Sequence, residues 1–248
     1  MNSFTWNGID SQAMGLWVES LPPVTRPPAR YQQVSIPGRS GALTIKEGTD
    51  VYDPYVREVR CMPRPGADLH AILKWLSPDV QADVTFSNEP DRIQRAWVLD
   101  QIDFAHAFAD QREGVIRFLC EPFKRSSESD QRIRVDLTLT AGTQIPNPGD
   151  VVAWPSFLMI GSGEVSITLN GTEFVLDIPQ GYGAQVDTEA GVALVGIPLY
   201  GFDFVGLSDT EPAVMYGDFP HLRTKYTNDM TWLGDITTLY VTPHWRYL

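Results

Sequence analysis

The chain has 248 residues and a mass of 27.7 kDa, with 43% apolar and 20% charged residues, which excludes a disordered polypeptide. Its net charge of −12 excludes a dedicated binder of nucleic acid or anionic membrane, because counterion release needs a basic footprint. Gly 20 and Pro 19, together with seven Trp, favour many short strands and turns in one or two domains.

In chain order, the stretch from Met1 to Gly8 has neither a basic n-region nor an apolar h-region, so it is not read as a signal peptide. No apolar stretch reaches the ~18 residues that span a bilayer. Synthesis and folding in a cytoplasm, without membrane contact, is the expectation. Tyr31 to Ile36 and Ala42 to Ile45 read as strands separated by Pro37-Gly38-Arg39-Ser40-Gly41, where the glycines allow a tight turn. Val51 to Met62 reads as a strand interrupted near Pro54. Leu69, Ile72, Leu73 and Leu76 fall at i, i+3, i+4 and i+7, which predicts a helix from Asp68 to Leu76 with those four side chains on its buried face. Ala96 to Leu99, Phe104 to Phe108 and Val115 to Cys120 read as further strands.

The second half reads as almost wholly β. The strict alternation from Arg132 to Thr140 predicts a half-buried strand. Trp154 to Ile160 is an apolar strand, with Gly161-Ser162-Gly163 after it. Glu164 to Leu169 and Glu173 to Ile178, joined by Asn170-Gly171, carry a strong hairpin signal. Ala184 to Thr188, Val192 to Val195 and Ile236 to Thr242 complete a strand spacing that fits a sandwich or jelly roll.

Charge is divided unevenly. Residues 1–125 hold 14 Lys+Arg against 16 Asp+Glu, a net of −2, whereas residues 126–248 hold 5 against 15, a net of −10. The asymmetry, with the polar stretch from Lys124 to Gln131, predicts two domains, 1–125 and 126–248.

Candidate chemistry is sparse. Asp187 and Glu189, two apart on a predicted strand, share a face in the manner of a glycosidase acid/base pair, but neighbouring acids on an acidic chain are ordinarily solvated. His70, His106, His221 and His244 are scattered without metal-ligand spacing. Cys61 and Cys120 form no CxxC and read as buried thiols. Gly161-Ser162-Gly163 lacks the spacing of a nucleophile elbow, and Gly38-Arg39-Ser40-Gly41 lacks the Lys and spacing of a P-loop. Trp154, Trp232 and Trp245 with Tyr182, Tyr200, Tyr216, Tyr226, Tyr240 and Tyr247 make the second half aromatic-rich. Such rings fill cores and subunit interfaces more often than they stack on sugars. No catalytic, cofactor-binding or metal site is expected, and no enzyme.

In order along the chain, several motifs are similar to those of the siphophage distal tail protein family, often called Dit. They are Phe4-Thr5-Trp6-Asn7-Gly8-Ile9-Asp10-Ser11 with Gly15-Leu16, then Val34-Ser35-Ile36-Pro37-Gly38-Arg39-Ser40-Gly41-Ala42-Leu43, then Ile72 to Leu76. Pro146-Asn147-Pro148-Gly149, Pro155, Gly161-Ser162-Gly163, Asn170-Gly171, Val186 to Glu189, Gly217-Asp218-Phe219-Pro220, Asn228, Trp232 and Gly234 continue the match. The second of these stretches is the most specific. Arg223 to Thr227 departs from the family, in which a Pro-Gly turn is common there. The resemblance implies a mainly β chain. Its N-terminal belt domain, a β-sandwich or barrel with one helix, closes into a hexameric ring, and its C-terminal domain is a galectin-like β-sandwich. It implies a non-enzymatic virion protein at the tail tip. The implied partners are the tail tube protein, the tail-associated hub or lysin protein, and receptor-binding proteins, with DNA crossing the lumen unbound. A glycan-binding module for host attachment is the alternative.

Overall fold

The computed structural model describes residues 2–77, 81–99, 102, 104–108, 111–139, 142–200 and 204–248. They form a mainly β protein with one short helix among the described residues. Two compact units are present: the chain up to Ser126 together with Leu248, and Ser127–Tyr247.

The first unit holds β1 (Phe4–Trp6), β2 (Ile9–Asp10), β3 (Leu16–Ser20), β4 (Tyr31–Ser35), β5 (Ala42–Lys46), β6 (Tyr55–Pro63), α1 (Leu69–Trp75), β7 (Ala82–Phe86), β8 (Ile93–Leu99), β9 (Ala105–Phe108) and β10 (Gln111–Arg125). Its main sheet runs β2-β1-β7-β8-β10-β6-β3, with β9 paired to β10, while β4 and β5 form a separate two-stranded sheet among the described residues. One face of the main sheet carries the core. Phe118 sits at its centre, with the rings of Phe4, Trp6 and Phe86 centred 5.3–5.9 Å away. Helix α1 closes this face through Ile72 and Leu76. Trp75 stacks on Phe4 at 5.7 Å and donates its indole N–H to the Trp6 carbonyl at 3.2 Å. Asp68 starts the helix by accepting the N–H groups of His70 and Ala71. Leu73, expected on the buried face, is exposed. A helix of two turns meets the sheet along a line narrower than its apolar stripe, and Ile72 and Leu76 occupy that line.

The second unit holds β11 (Ile133–Arg134), β12 (Thr143–Ile145), β13 (Ser156–Leu169), β14 (Thr172–Ile178), β15 (Gly183–Asp187), β16 (Val192–Tyr200), β17 (Phe204–Pro212), β18 (Met215–Gly217) and β19 (Asn228–Thr242). The strand order is β11-β19-β13-β15-β16-β17, with β14 joining β13 to β18 and β12 pairing with β19. Strand β13 is the spine, hydrogen-bonded to β14, β15 and β19. The apolar segment before Gly161 and the alternating one after Gly163 are one strand rather than two. Gly161-Ser162-Gly163 lies inside it, at register shifts against β19. The Asn170-Gly171 hairpin is as read, with φ of 53° and 82° at the turn.

The strand predicted from Arg132 to Thr140 is reduced to Ile133–Arg134. The Asp136 carboxylate accepts the Thr138 N–H at 3.0 Å and its hydroxyl at 2.7 Å, and this local turn replaces the ladder. At Arg223 to Thr227 the loop is organised by Asn228, which is fully buried. Its Oδ1 accepts the Arg223 N–H and the Asn170 amide, and its Nδ2 donates to the carbonyls of Arg223 and Tyr226.

Cys61 and Cys120 are both buried in the first core, and burial pushes each thiol up to about 12. Neither is expected to react with Ellman's reagent at mildly alkaline pH in the native protein, and both react in denaturant. Rapid native reaction would show that the first sheet opens.

Candidate functional site

The β4–β5 ribbon is built by its sequence as a two-faced object. Register pairs Gln32 with Ile45 and Val34 with Leu43 on one face, and Tyr31 with Lys46, Gln33 with Thr44 and Ser35 with Ala42 on the other. With Ile36, the first face is apolar and the second is polar. Every residue of both strands is exposed. Val34, Ile36, Leu43 and Ile45 each leave 37–45% of their surface open. The tip turns through Gly38 and Gly41, both at φ 79°, a backbone conformation that side chains with a Cβ rarely adopt. An isolated two-stranded hairpin is marginal in water, so this ribbon calls for a covering surface, which the described residues do not supply.

Its root, by contrast, is fixed. Ala29 bridges Tyr52, and the backbone of Arg30 is hydrogen-bonded to Val51 and Glu47. Arg26 donates to the Tyr52 hydroxyl at 2.9 Å, Arg30 pairs with Asp53, and the Tyr52 ring meets Phe123 edge-on at 5.7 Å.

Behind the root lies a buried ionic cluster. Glu89 accepts from Arg57 at 2.5 Å and from Lys124 at 2.7 Å, and both cations are almost completely buried. Arg57 also lies over the Phe86 ring at 4.4 Å and donates to Gln94 at 3.2 Å. One carboxylate thus serves two cations, and carbonyls of the preceding segment supply further acceptors. The Pro23 carbonyl lies 3.4 Å from Arg57 and that of Thr25 3.4 Å from Lys124, while Asn88 holds the Pro22 carbonyl at 2.9 Å. Prolines have no N–H for a ladder, but their carbonyls suit this role. The cluster therefore straps residues 22–25 to the sheet and sets the direction in which the ribbon leaves it.

The face of the main sheet opposite the core carries a second apolar patch. Leu119 on β10 lies between Trp97 on β8 and Val56 on β6 in one cross-strand row, and Trp97 and Val56 are exposed. Arg117 and Glu58, paired at 2.8 Å, border it.

In the second unit, Ser156 Oγ lies 3.0 Å from His244 Nε2, and His244 Nδ1 lies 3.1 Å from Asp130 Oδ1. This connectivity matches a hydrolase triad, and the wide separation of the three residues in sequence hid it. The surroundings differ from a hydrolase site. Ser156 lies in an extended strand between β15 and β19, not on a strand-to-helix elbow, and its backbone belongs to the ladders on both sides. His244 also donates its backbone N–H to Ser129 at 2.9 Å. The three residues act as a latch that ties Ser129 and Asp130 to the end of β19.

The other sequence candidates are dispersed. Asp187 ends β15 and accepts the N–H groups of Glu189 and Ala190 at 3.0 Å, so Glu189 lies in the turn, off the strand, and pairs with Arg246. The two acids do not share a strand face. His70 is exposed on α1, His221 packs against Trp154, and the His106 side chain lies outside the described residues. No group of three metal ligands occurs among the described residues. Tyr182, Trp232 and Trp245 pack against the second core and Tyr240 is buried, whereas Tyr200, Tyr216 and Tyr226 are exposed.

Two outcomes follow from these clusters. Burial raises the Glu89 carboxyl, but hydrogen bonds and charge from Lys124 and Arg57 outweigh it and hold the group below its ordinary value. A lowered folded value stabilises above the unfolded carboxylate range, and that stability is lost as pH falls through the folded value. Glu89→Gln is expected to cost about 3–5 kcal/mol at neutral pH and to flatten the acid limb of the first unit's unfolding curve. An unchanged acid limb in denaturant titrations would remove Glu89 from the clamp. At the latch, a fluorophosphonate probe should leave Ser156 unlabelled, and His244→Ala should cost about 1 kcal/mol per lost hydrogen bond. Labelling that His244→Ala abolishes would make the latch a nucleophile.

No family model and no curated protein matches the chain. Among solved structures, it is similar to the crystal structure of the Dit protein (gp 19.1) of phage SPP1, described as a paradigm of the hub adsorption apparatus in phages that infect Gram-positive hosts. The TM-score is 0.71 at 15% identity, with 100% of each chain covered. A likeness that leaves no part of either chain over extends to both units, and the chain has a Dit-like fold.

Proposed function

We propose that this chain is a non-enzymatic structural protein of a phage tail, which assembles as a hexameric ring at the distal end of the tail tube. The observation that carries this reading is the apolar face of the β4–β5 ribbon, which none of the described residues covers. A ribbon rooted in one subunit and laid on a different surface of the next makes a head-to-tail contact, and such contacts form a ring where the rotation between subunits closes. The Trp97–Leu119–Val56 row is a surface of matching character on the same unit. Burying four half-exposed aliphatic side chains contributes on the order of 1 kcal/mol each, repeated at every contact of the ring.

The whole-chain likeness to a phage hub protein supports the assignment to the tail tip. In this reading the ring joins the tail tube on one side and a tail-associated hub or lysin protein on the other, with receptor-binding proteins at its rim. Residues 1–125 form the ring because their charge is nearly balanced, and the acidic galectin-like half lies outside it. The ring-forming residues 1–125, with a net of −2, have no basic excess that would hold DNA in the lumen.

Light scattering with negative-stain imaging of the full chain tests the proposal. A six-fold ring is expected, and the double change Val34→Asp and Leu43→Asp should convert it to monomer while unfolding transitions stay in place. A chain that remains monomeric at high concentration, or a double variant that still forms rings, would overturn it.

A further inference from the structure

Two hairpin turns of this chain carry the same dipeptide in the same backbone conformation. Asn7-Gly8 joins β1 to β2 with φ of 48° and 77°, and Asn170-Gly171 joins β13 to β14 with φ of 53° and 82°. Register pairs the flanking residues directly in both, Trp6 with Ile9 and Leu169 with Thr172. Asn-Gly suits such two-residue loops because both positions need a positive φ. In each turn the glycine N–H makes no hydrogen bond among the described residues.

The two asparagine side chains are held differently. The Asn170 carboxamide donates to the His221 carbonyl at 3.1 Å and to Asn228 Oδ1 at 2.8 Å, and Asn228 is itself fully buried. Asn7 is fixed through its main chain, donating its N–H to the Asp83 carbonyl at 3.0 Å. The Asn7 residue is exposed, and its carboxamide makes no hydrogen bond among the described residues. One carboxamide is thus anchored, and the other is free to turn toward the nitrogen that follows it. Glycine places no Cβ beside that nitrogen, so its approach to the carboxamide carbon is open.

We infer that Asn7 is a site of spontaneous main-chain modification and that Asn170 is protected from it. The Gly8 nitrogen bonds to Asn7 Cγ, the Cγ–Nδ2 bond breaks, and ammonia leaves carrying the proton that Gly8 gives up, which closes a cyclic imide. Water then opens the imide, and no electrons are transferred at either step. Attack at Cγ yields aspartate at position 7, and attack at the main-chain carbonyl yields isoaspartate, in which the chain runs through Cγ. Both products place a carboxylate on the cavity that Asn7 lines with Lys74, Trp6 and Trp75. Isoaspartate also lengthens the main chain inside the turn. Hairpin register depends on loop length, so the pairing of Trp6 with Ile9 is lost and β2, an edge strand, loosens. The reaction needs no assembly, and its outcome is independent of the ring.

Peptide mapping by mass spectrometry, on the full chain aged at mildly alkaline pH with and without denaturant, tests this. In the native chain Asn7 is expected to convert about thirty-fold faster than Asn170, the factor that corresponds to breaking two hydrogen bonds of ordinary strength. In denaturant the anchors are gone, and the two sites should convert at similar rates. Isoaspartyl methyltransferase should label the aged native chain at position 7, and Asn7→Gln, whose longer side chain closes the ring far more slowly, should remove that label. Hydrogen exchange at Ile9 should quicken in the labelled fraction. Native conversion of Asn170 as fast as that of Asn7 would overturn the inference. So would an Asn7 that keeps its amide in the native chain, whether or not it converts in denaturant.

Discussion

Two antiparallel strands have no interior. A ribbon can turn its apolar side chains to one face, but it cannot cover that face without a third surface. This constraint governs the first unit. The tip of the ribbon is free to turn through Gly38 and Gly41, while its root is held by Tyr52, Arg30 and the strap over Glu89. A mobile grip on a floppy base would pay the ordering entropy at each contact. A ribbon whose exit direction is set by a buried ion cluster has paid it on folding.

The cluster shows how such a base is made at one end of a hydrophobic sheet. Arg57, Gln94 and Lys124 occupy inward positions that Val59, Ala96 and Phe118 occupy elsewhere on the same three strands. Replacing them with aliphatics would give a simpler core and lose the carbonyl acceptors' reason to stay at Pro23 and Thr25. The second unit solves a different problem. Its long strands bury one continuous core, and its polar interior groups, Asn228 and Asn147, serve loops rather than a strap.

What could be read from the sequence was what depends on near neighbours. Helix α1 followed from its spacing and from Asp68, and the β13–β14 hairpin from Asn170-Gly171. The alternation from Arg132 to Thr140 misled because Asp136 offers its own backbone a nearer partner than any strand does. Leu73 misled because periodicity defines a stripe and says nothing of its width. The Glu89 cluster and the Ser156–His244–Asp130 latch were illegible for one reason: each joins residues from separate segments far apart in sequence. The ribbon stands between these cases. Its strands and turn were evident, but its lack of cover is a property of everything that does not pack on it.

The pairing of β13 with β19 also bears on the order of events during synthesis. Ser156 meets Thr242, so the spine of the second unit waits for a strand that is synthesised long after it. The first sheet needs nothing beyond β10, and its strands can pair while the second unit is still being translated. Until β19 arrives, β13 shows an unpaired edge and an apolar face, and a chain cut before Asn228 would keep them.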